Sequence, residues 1–333
     1  MSTRIAVIGG GANVEHEVSA ASAAGVADAL ERRGYAVDRL TIGRDGIWRG
    51  EGDAGPATSG DRAHPSAAAE SLSAALAVIG AADAVFPAVH GPRGEDGVIA
   101  ALGALTGVPV VGSGTLAGAV AMDKALSKTV ARAAGLRTAP GCVVSVRDLD
   151  ALGFEGEAAV VKPVSSGSSH GVSLVRDAAQ LVEAVALACA VDAGSGPGRA
   201  LVEPVVLGRE IDVAVLREAD GTRWAAPALE IHAAGLFDTA TKYDGSARFT
   251  VPAALSAGEA AALKAAALAA FDAFGCRGLA RVDFFLTEEG PVFNEINTMP
   301  GLTPASQAPR MFAAAGVAYD ELVHRLVQGA LRC

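Results

Sequence analysis

The segments RVDFF at 281–285 and NEINTMPG at 294–301 decide how the last part of this 333-residue chain folds. Polar and apolar residues alternate across RVD and EIN, and a period of two residues is that of a β-strand. The polar turn TEEGP at 287–291 lies between the segments and is of the kind that closes a hairpin. The sequence therefore predicts a two-stranded ribbon over these residues.

This ribbon carries a set of charged and amide side chains on one face. Arg281 and Asp283 are two residues apart, as are Glu295 and Asn297, so each pair shares a face of its strand. Folding at the turn brings Asp283, Glu295 and Asn297 together, and oxygen ligands beside an arginine hold magnesium and nucleotide phosphates. The alternative, a solvated hairpin face, fits less well because the acids lie inside apolar runs.

A second feature is an apolar strand ending in Lys162, followed by a glycine- and serine-rich loop, SSGSSHG at 165–171. Another apolar run follows at 172–175, so the segment predicts a hairpin whose loop can lay backbone N–H groups against phosphates. The chain contains no GxxxxGK[ST] motif, so this is not the Walker type of phosphate loop. A flexible surface hairpin has a similar sequence, and this segment alone leaves both interpretations open.

Two carboxylates, Glu203 and Glu210, lie where one predicted strand ends and the next begins. Carboxylate oxygens accept hydrogen bonds, so this pair could bind the amino group of adenine and the hydroxyls of ribose. Taken singly, each residue is also consistent with an exposed charge at a strand end.

The glycine-rich turn GGGANVE at 9–15 raises the alternative of a dinucleotide site. Gly9 and Gly11 fit the first two glycines of GxGxxG, but Val14 stands at the third, and no acid ends the second predicted strand. A nicotinamide cofactor is therefore not expected. The turn instead presents Glu15, which could hold a substrate ammonium group or cap the helix that follows.

Six motifs, in this order, resemble those of the D-alanine–D-alanine ligase family of the ATP-grasp superfamily, and they span nearly the whole chain. They are GGGANVEHEVS at 9–19, HGPRGEDG at 90–97, MDK at 122–124, VKP at 161–163 with GSS at 167–169, KY at 242–243 and NEINTMPGLTPAS at 294–306. The resemblance implies an α/β fold that is α+β in its ATP-grasp part. A Rossmann-like parallel sheet at 1–121 would precede two ATP-grasp subdomains, at 122–205 and 206–333, that clamp ATP.

The resemblance also implies a reaction and a role for each motif residue. One D-alanine carboxylate attacks the γ-phosphate of ATP, and the amine of a second D-alanine then displaces phosphate from the acyl phosphate. The phosphates are held by Lys124, Lys162 and Lys242, the nucleoside by Glu203 and Glu210, and a pair of magnesium ions (or manganese) by Asp283, Glu295 and Asn297. The amino acids and the oxyanion are bound by Glu15, His90, Arg281, the backbone N–H of Gly301, Ser306 and Gln307, with Ser168 and Tyr243 bridging to Glu15 under a lid at 235–251. For His90 the alternative is a histidine that only satisfies hydrogen bonds at the end of its strand.

Departures from the family pattern leave the acceptor open. The family commonly has Tyr-Glu-Ala before the lysine of KY, where this chain has TAT at 239–241, and His170 replaces a small apolar residue. Gln307 stands where leucine or methionine is common, which makes D-serine a second candidate acceptor. Tyr243 argues against a D-lactate ligase. Housekeeping wall synthesis, an antibiotic-pathway paralogue and a non-catalytic ATP sensor are the alternatives, and the intact set of motif residues disfavours the sensor.

Composition limits the partners and the compartment. The net charge is −10 with no lysine or arginine cluster, which argues against nucleic acid and anionic membrane surfaces. The four cysteines are far apart and form no CxxC pair, which favours a reducing compartment over a disulfide framework or zinc site. The chain shows no leader, and its longest apolar stretch, 98–111, is too short to span a bilayer. We expect a cytoplasmic enzyme, and the resemblance implies a homodimer.

Changes of hydrophobic period place the remaining elements. We expect strands at 5–8, 36–42, 84–89, 108–111, 158–163, 172–175, 211–216 and 224–231. We expect helices at 19–33, 97–106, 122–134 and 256–274, a final helix after the ribbon, and a surface loop at 50–65.

Overall fold

The computed structural model describes residues 2–52, 62–149, 153–154, 157–192, 197–232 and 248–332. Within these ranges the strands form three sheets, each covered by helices on at least one face. The expected fold class, α/β with a mainly parallel N-terminal sheet followed by α+β parts, is confirmed. The domain boundaries after Ala121 and Val205 stay predictions.

The N-terminal sheet is buried on both faces. Its strands are β1 (Arg4–Gly10), β2 (Ala36–Ile42), β3 (Trp48–Gly50) and β4 (Ala84–Pro87), and the helices of this region are α1 (His16–Arg32), α2 (Pro65–Gly80), α3 (Val98–Thr106) and α4 (Thr115–Met122). The order is β3-β2-β1-β4, with β1 parallel to β2 and β4 and with β3 antiparallel to β2. Ile5 and Val7 pack with α1, whereas Ala6 and Ile8 pack with α2 and α3, because successive side chains of a strand point to opposite faces.

The central sheet is antiparallel and has one helix-covered face. Its strands are β5 (Cys142–Val144), β6 (Ala159–Pro163), β7 (Ser173–Val175) and β8 (Ala200–Pro204), in the order β5-β8-β6-β7. The helices are α5 (Lys124–Ala133) and α6 (Ala178–Val191). Leu181 and Val185 of α6 pack with Val161 and Val175 of the sheet, which leaves the opposite face of β6 for the site.

The C-terminal sheet is also antiparallel. Its strands are β9 (Arg209–Arg217), β10 (Arg223–Ala225), β11 (Leu229–His232), β12 (Arg248–Thr250), β13 (Leu279–Thr287) and β14 (Gly290–Asn297), and its helices are α7 (Ala257–Ala273), α8 (Gln307–Ala314) and α9 (Tyr319–Leu331). The order is β12-β11-β9-β13-β14, and β10 also pairs with β9. Ser256 and Glu259 form a capping box at the start of α7, which covers one face of the sheet.

One core cluster joins the beginning of the chain to its end. Val26 and Leu30 of α1 belong to the same buried cluster as Phe312 of α8 and Leu322 of α9. The N-terminal region is therefore packed against the region that carries the ribbon. Among the described residues, no helix has the length and apolar character that crossing a membrane requires.

The helix expected at 122–134 forms as α5 but begins two residues later, at Lys124, because the chain breaks at Asp123. This residue is extended, with φ −83° and ψ 103°, and its side chain accepts hydrogen bonds from the backbone N–H groups of Ala125 and Leu126. An aspartate in this position is an N-cap, so α4 ends at Met122 and α5 begins at Lys124.

Two expected strands also differ from the structure, in each case beside a proline. The segment 224–231 forms the two short strands β10 and β11 on either side of Pro227. The segment 108–111 makes only an isolated parallel bridge between Val85 and Val110, next to Pro109. Proline cannot donate a backbone hydrogen bond to a neighbouring strand, which explains both interruptions. Four helices, α2, α4, α6 and α8, were not expected from the sequence.

Candidate active site

The central and C-terminal sheets line one cavity of about 650 Å³. On β6, Lys162 lines the cavity while its neighbour Val161 packs in the core beneath α6. On β9, Asp212 lines it while Ile211 packs against α7. The alternation of strand side chains thus places polar groups of both sheets in a shared space and keeps apolar groups behind them.

The ribbon of β13 and β14 forms as the sequence predicts. Asp283 lies opposite Glu295, and Arg281 lies opposite Asn297. Asn297 Nδ2 donates a hydrogen bond to Asp283 Oδ2 at 3.1 Å. The carboxylates and the amide are therefore side by side on one face of the ribbon. The register shifts after Asp283 and leaves Asn294 as the extra residue of a β-bulge.

Side chains of β13 and α8 accept hydrogen bonds from Arg281. Its Nε and Nη2 atoms each donate to Asp283 at 2.7 Å, and Nη1 donates to Gln307 Oε1 at 2.9 Å. Burial lowers the pKa of the guanidinium, but the charges of Asp283 and Asp212 outweigh burial, so its pKa lies well above the ordinary arginine value. Arg281 is therefore a fixed positive charge in a defined orientation.

Glu203 lies between two buried lysines. The Nζ atoms of Lys128 and Lys162 each lie 2.6 Å from one of its carboxylate oxygens. Burial, and then the nearby charge of Lys162, lower the pKa of Lys128 to about 8. Charge-assisted contacts of this kind fix the orientation of the Glu203 carboxylate.

Two lysine contacts connect the central region to the ribbon. Lys162 Nζ donates to Asn294 Oδ1 at 3.2 Å. Lys124 Nζ donates to the carbonyl of Ser166 in the glycine- and serine-rich loop and lies 3.8 Å from Glu295. Polar groups of the central region and of the ribbon thus meet across the cavity.

Glu15 reaches the glycine- and serine-rich loop from the other side. Ser168 Oγ donates to Glu15 Oε1. Glu15 occupies the N-cap position of α1, but its side chain makes no capping hydrogen bond to the helix. A Cβ built at Gly91 or Gly167 would lie 2.0 or 2.8 Å from Glu15 Oε2. Glycine at both positions therefore makes room for the carboxylate.

His90 is buried between α1 and the turn at 298–302. Nδ1 lies 2.9 Å from the carbonyl oxygen of Met299, and Nε2 lies 2.9 Å from Ser22 Oγ. A carbonyl only accepts, so Nδ1 carries a hydrogen. Burial lowers the pKa of the ring, but Glu95 and Glu15 outweigh burial and raise it. Both ring nitrogens are bonded to protein groups, which favours a role in positioning the turn.

The turn before α8 places Gly301 next to Ser306. Ser306 Oγ accepts from the backbone N–H of Thr303 at 3.1 Å and lies 2.7 Å from the hydroxyl of Thr303. A Cβ added at Gly301 would lie 3.1 Å from Ser306 Oγ, which is tighter than ordinary contact. A side chain at position 301 would therefore displace the hydroxyl.

Two family models match most of the chain. The one described as "D-ala D-ala ligase N-terminus" matches residues 4–113, and the one described as "D-ala D-ala ligase C-terminus" matches residues 152–328. The chain belongs to the D-alanine–D-alanine ligase family. The predictions of this family, of the ATP-grasp fold and of a ligase enzyme are thereby confirmed.

Individual proteins and structures agree with the family assignment. The chain is 40% identical to a D-alanine–D-alanine ligase of Streptomyces avermitilis, aligned over 99% of this chain and 94% of that one. It is also 40% identical to one of Mycolicibacterium smegmatis, over 99% and 95%. The structure of the VanG D-Ala:D-Ser ligase from Enterococcus faecalis has a TM-score of 0.81 and 29% identity, covering 99% of this chain and 100% of that chain. The D-alanine–D-alanine ligase from Coxiella burnetii has a TM-score of 0.77 and 29% identity, over 99% and 95%.

The motif residues that match the family fall into three groups in the structure. Those that line the cavity are Lys124, Lys162, Ser168, Glu203, Glu210, Arg281, Asp283, Glu295 and Gln307. Those that lie behind or beside this set are Glu15, His90, Asn297, Gly301 and Ser306. Lys242 and Tyr243 lie outside the described residues, as does most of the expected lid.

The cavity residues that were not expected include Lys128, Asp212 and Asn294. Lys128 lies four residues after Lys124, one helical turn along, so helix spacing could have indicated it. Asp212 lies two residues after Glu210 on β9, so strand alternation could have indicated it too. Asn294 reaches Lys162 from a β-bulge, which no regular period predicts.

The ribbon fits a divalent cation that is shared with a ligand. Among the described residues, no group of three or more His, Cys, Asp or Glu side chains is arranged to hold a metal alone. Magnesium, however, is usually bound by one or two carboxylates together with substrate phosphates and water. The carboxylates of Asp283 and Glu295, with the amide of Asn297, supply this kind of partial site.

Proposed function

We propose that this enzyme joins two D-alanines using ATP, through a D-alanyl phosphate, and thereby makes D-alanyl-D-alanine for peptidoglycan precursors. The observation that carries the proposal is the contact between Glu15 and Ser168. It places a carboxylate suited to the ammonium of an amino acid against the loop proposed to hold phosphates. The family to which the chain belongs supports the same reaction.

ATP occupies the cavity between the central and C-terminal sheets in this proposal. The phosphates are bound by Lys124 and Lys162, together with Lys242, and the adenine and ribose by Glu203 and Glu210. A pair of magnesium ions, or manganese in their place, is held by Asp283, Glu295 and Asn297, and supplies charge that offsets the repulsion between phosphates and a carboxylate nucleophile. The proximity of these side chains in one cavity supports the assignment.

The first step activates one D-alanine. Glu15 holds its ammonium group, which orients the carboxylate towards the γ-phosphate, and a carboxylate oxygen forms the new bond to phosphorus as ADP leaves. Lys124 binds the transferred phosphoryl group in this proposal, and its contacts with Glu295 and the loop carbonyl of Ser166 support the assignment. Holding the reacting groups in place accounts for much of the rate in such a step.

The second step forms the amide. The amine of the second D-alanine attacks the acyl carbon, and phosphate leaves with the oxygen that joined it to the carbonyl. Arg281 and the backbone N–H of Gly301 stabilise the tetrahedral oxyanion, and Ser306 binds the carboxylate of the second amino acid. Tyr243 would bond to Ser168 when the lid closes and excludes water from the acyl phosphate. His90 positions the turn at 298–302 in this scheme.

D-serine is the second candidate acceptor, and Gln307 is the residue that favours it. Gln307 Oε1 accepts from Arg281, so its Nε2 group remains a donor suited to a serine hydroxyl. The VanG D-Ala:D-Ser ligase is also similar to this chain over its full length, though at 29% identity. We propose D-alanine as the principal acceptor, and a paralogue in antibiotic biosynthesis or self-resistance as the alternative role.

We also propose a homodimer in the cytoplasm. Leu105 on α3 and Leu116 on α4 are 83% and 77% exposed, and Val98 on α3 is 47% exposed. A second copy of the chain would cover this face. Light scattering of wild type and of Leu105→Asp tests the dimer, and an unchanged monomer mass for both proteins would contradict it.

The function is tested with a panel of D- and L-amino acids, singly and in pairs, measuring phosphate release from ATP. The proposal predicts release that depends on D-alanine, with D-alanyl-D-alanine identified by mass spectrometry, and weaker release with D-serine. Tight ATP binding without turnover for any amino acid would favour a nucleotide sensor and contradict the proposal.

A further inference from the structure

Asp212 is a buried carboxylate in the cavity whose role the proposed mechanism leaves open. It is 1% exposed and lies on β9, the strand next to β13. The strand register places it directly opposite Asp283, which in turn lies opposite Glu295. Carboxylates from three adjacent strands therefore form one row across the sheet.

The geometry around Arg281 Nε distinguishes Asp212 from Asp283. Nε bears a single hydrogen. That hydrogen is donated to Asp283 Oδ1 at 2.7 Å, while Asp212 Oδ2 lies 3.3 Å from the same nitrogen as an ion pair. Asp212 therefore lies close enough to serve as a second acceptor for the Arg281 Nε–H group, which now donates to Asp283.

Binding of a metal by Asp283 would compete with the contact between Asp283 and Arg281. Asp283 binds Arg281 through both of its oxygens and also accepts from Asn297. A carboxylate that turns towards a divalent cation weakens such a bidentate contact, which would leave part of the buried guanidinium without its acceptor. An unsatisfied buried charge is costly, so the metal would bind more weakly unless another acceptor were at hand.

We infer that Asp212 is a positioning residue that accepts Arg281 Nε–H when the Asp283 carboxylate turns to the divalent cation. The inference rests on the proposed function, because that function assigns the cation to Asp283. Asp212 keeps Arg281 aimed at the reacting carbonyl in both states, and it lowers the cost of recruiting the metal. It acts through Arg281 and touches neither substrate.

The test measures cation binding directly. Manganese is titrated calorimetrically into the full-length enzyme saturated with a non-hydrolysable ATP analogue, and the affinity for the metal-free analogue is measured separately. For Asp212→Asn we expect the manganese dissociation constant to rise about tenfold, because a charge-assisted hydrogen bond is replaced by a weaker one to a neutral amide oxygen. The affinity for the metal-free analogue should change by less than about twofold, since Asp212 contacts no nucleotide in this scheme.

Two further variants separate this role from simpler ones. Asp45→Asn removes the charge of a partly buried partner of Arg49, at 2.7 Å and outside the cavity, and should bind manganese as wild type does. Arg281→Met removes the group through which Asp212 is inferred to act, so adding Asp212→Asn to it should change manganese affinity little further. A tenfold loss that persists in the Arg281→Met background would show that Asp212 acts by its charge alone, and would overturn the inference.

Asp283→Asn distinguishes the failure of this inference from that of the proposed function. Loss of manganese binding in Asp283→Asn with normal binding in Asp212→Asn overturns only the role of Asp212. Normal binding in both variants overturns the metal site itself and the inference with it. If Asp212→Asn does not fold by circular dichroism, Asp212→Ser replaces it with the same expected result, and Asp212→Glu should restore binding towards wild type.

Discussion

The lowered pKa of Lys128 gives a prediction that can be worked out from the structure. Its ammonium is largely buried beside Glu203, with Lys162 on the other carboxylate oxygen, and its pKa falls from 10.5 to about 8 on folding. Between these pH values the unfolded chain binds a proton that the folded chain does not, so the free energy of unfolding rises with pH. At about 1.4 kcal/mol per pKa unit, the gain over this window is about 3 kcal/mol.

The assay compares urea unfolding of wild type and Lys128→Met from pH 7.5 to 10.5. Taking the difference between the two proteins cancels the titration of groups that they share. We expect the wild type to gain about 3 kcal/mol relative to Lys128→Met across this range. Lys264→Met, which removes an exposed lysine from α7, is the matched control for the loss of a lysine charge. The reasoning would be refuted if the difference in free energy of unfolding between wild type and Lys128→Met stayed constant from pH 7.5 to 10.5.

Three substitutions test the proposed site. Asp283→Asn should lower turnover by orders of magnitude, because it removes charge that holds the cation, and should leave the circular dichroism spectrum unchanged. Normal steady-state kinetics for this variant would exclude Asp283 as a metal ligand. Tyr243→Phe should turn over modestly more slowly and release more phosphate than dipeptide, since a looser lid admits water. Wild-type coupling of phosphate release to dipeptide formation would exclude Tyr243 from the proposed bridge to Ser168 and Glu15. Gln307→Leu should lower kcat about tenfold or more, because Arg281 Nη1 loses its acceptor. It should also reduce the ratio of kcat/KM for D-serine as acceptor to kcat/KM for D-alanine as acceptor. An unchanged ratio would show that Gln307 does not contact the acceptor.

The local parts of the site could be predicted from sequence. The ribbon that pairs Asp283 with Glu295 follows from strand period and a turn between two short segments. The hairpin of β6 and β7 follows from the same reasoning. Contacts between distant segments could not be predicted, because hydrophobic period does not say which strands become neighbours. Asp212 meets Arg281 only through the pairing of β9 with β13, and Gln307 meets it only through the position of α8.

Polar caps and prolines account for most of the differences in the fold. Asp123 sits in an apolar-rich segment that has a continuous helical period, and only its side-chain bonds to two backbone N–H groups reveal the break. Pro227 and Pro109 interrupt strands that the apolar pattern extends through. Alanine-rich helices such as α2 give a weak periodic signal, since alanine is common on both faces.

The central claim is tested most directly by the fate of oxygen in the donor carboxylate. The enzyme is incubated with ATP, magnesium and D-alanine labelled with oxygen-18 in both carboxyl oxygens, and the products are weighed by mass spectrometry. An acyl phosphate requires one labelled oxygen to leave with phosphate, so the account predicts one oxygen-18 in each phosphate and one D-alanyl-D-alanine per phosphate. Phosphate without label, or released without dipeptide, would contradict the account.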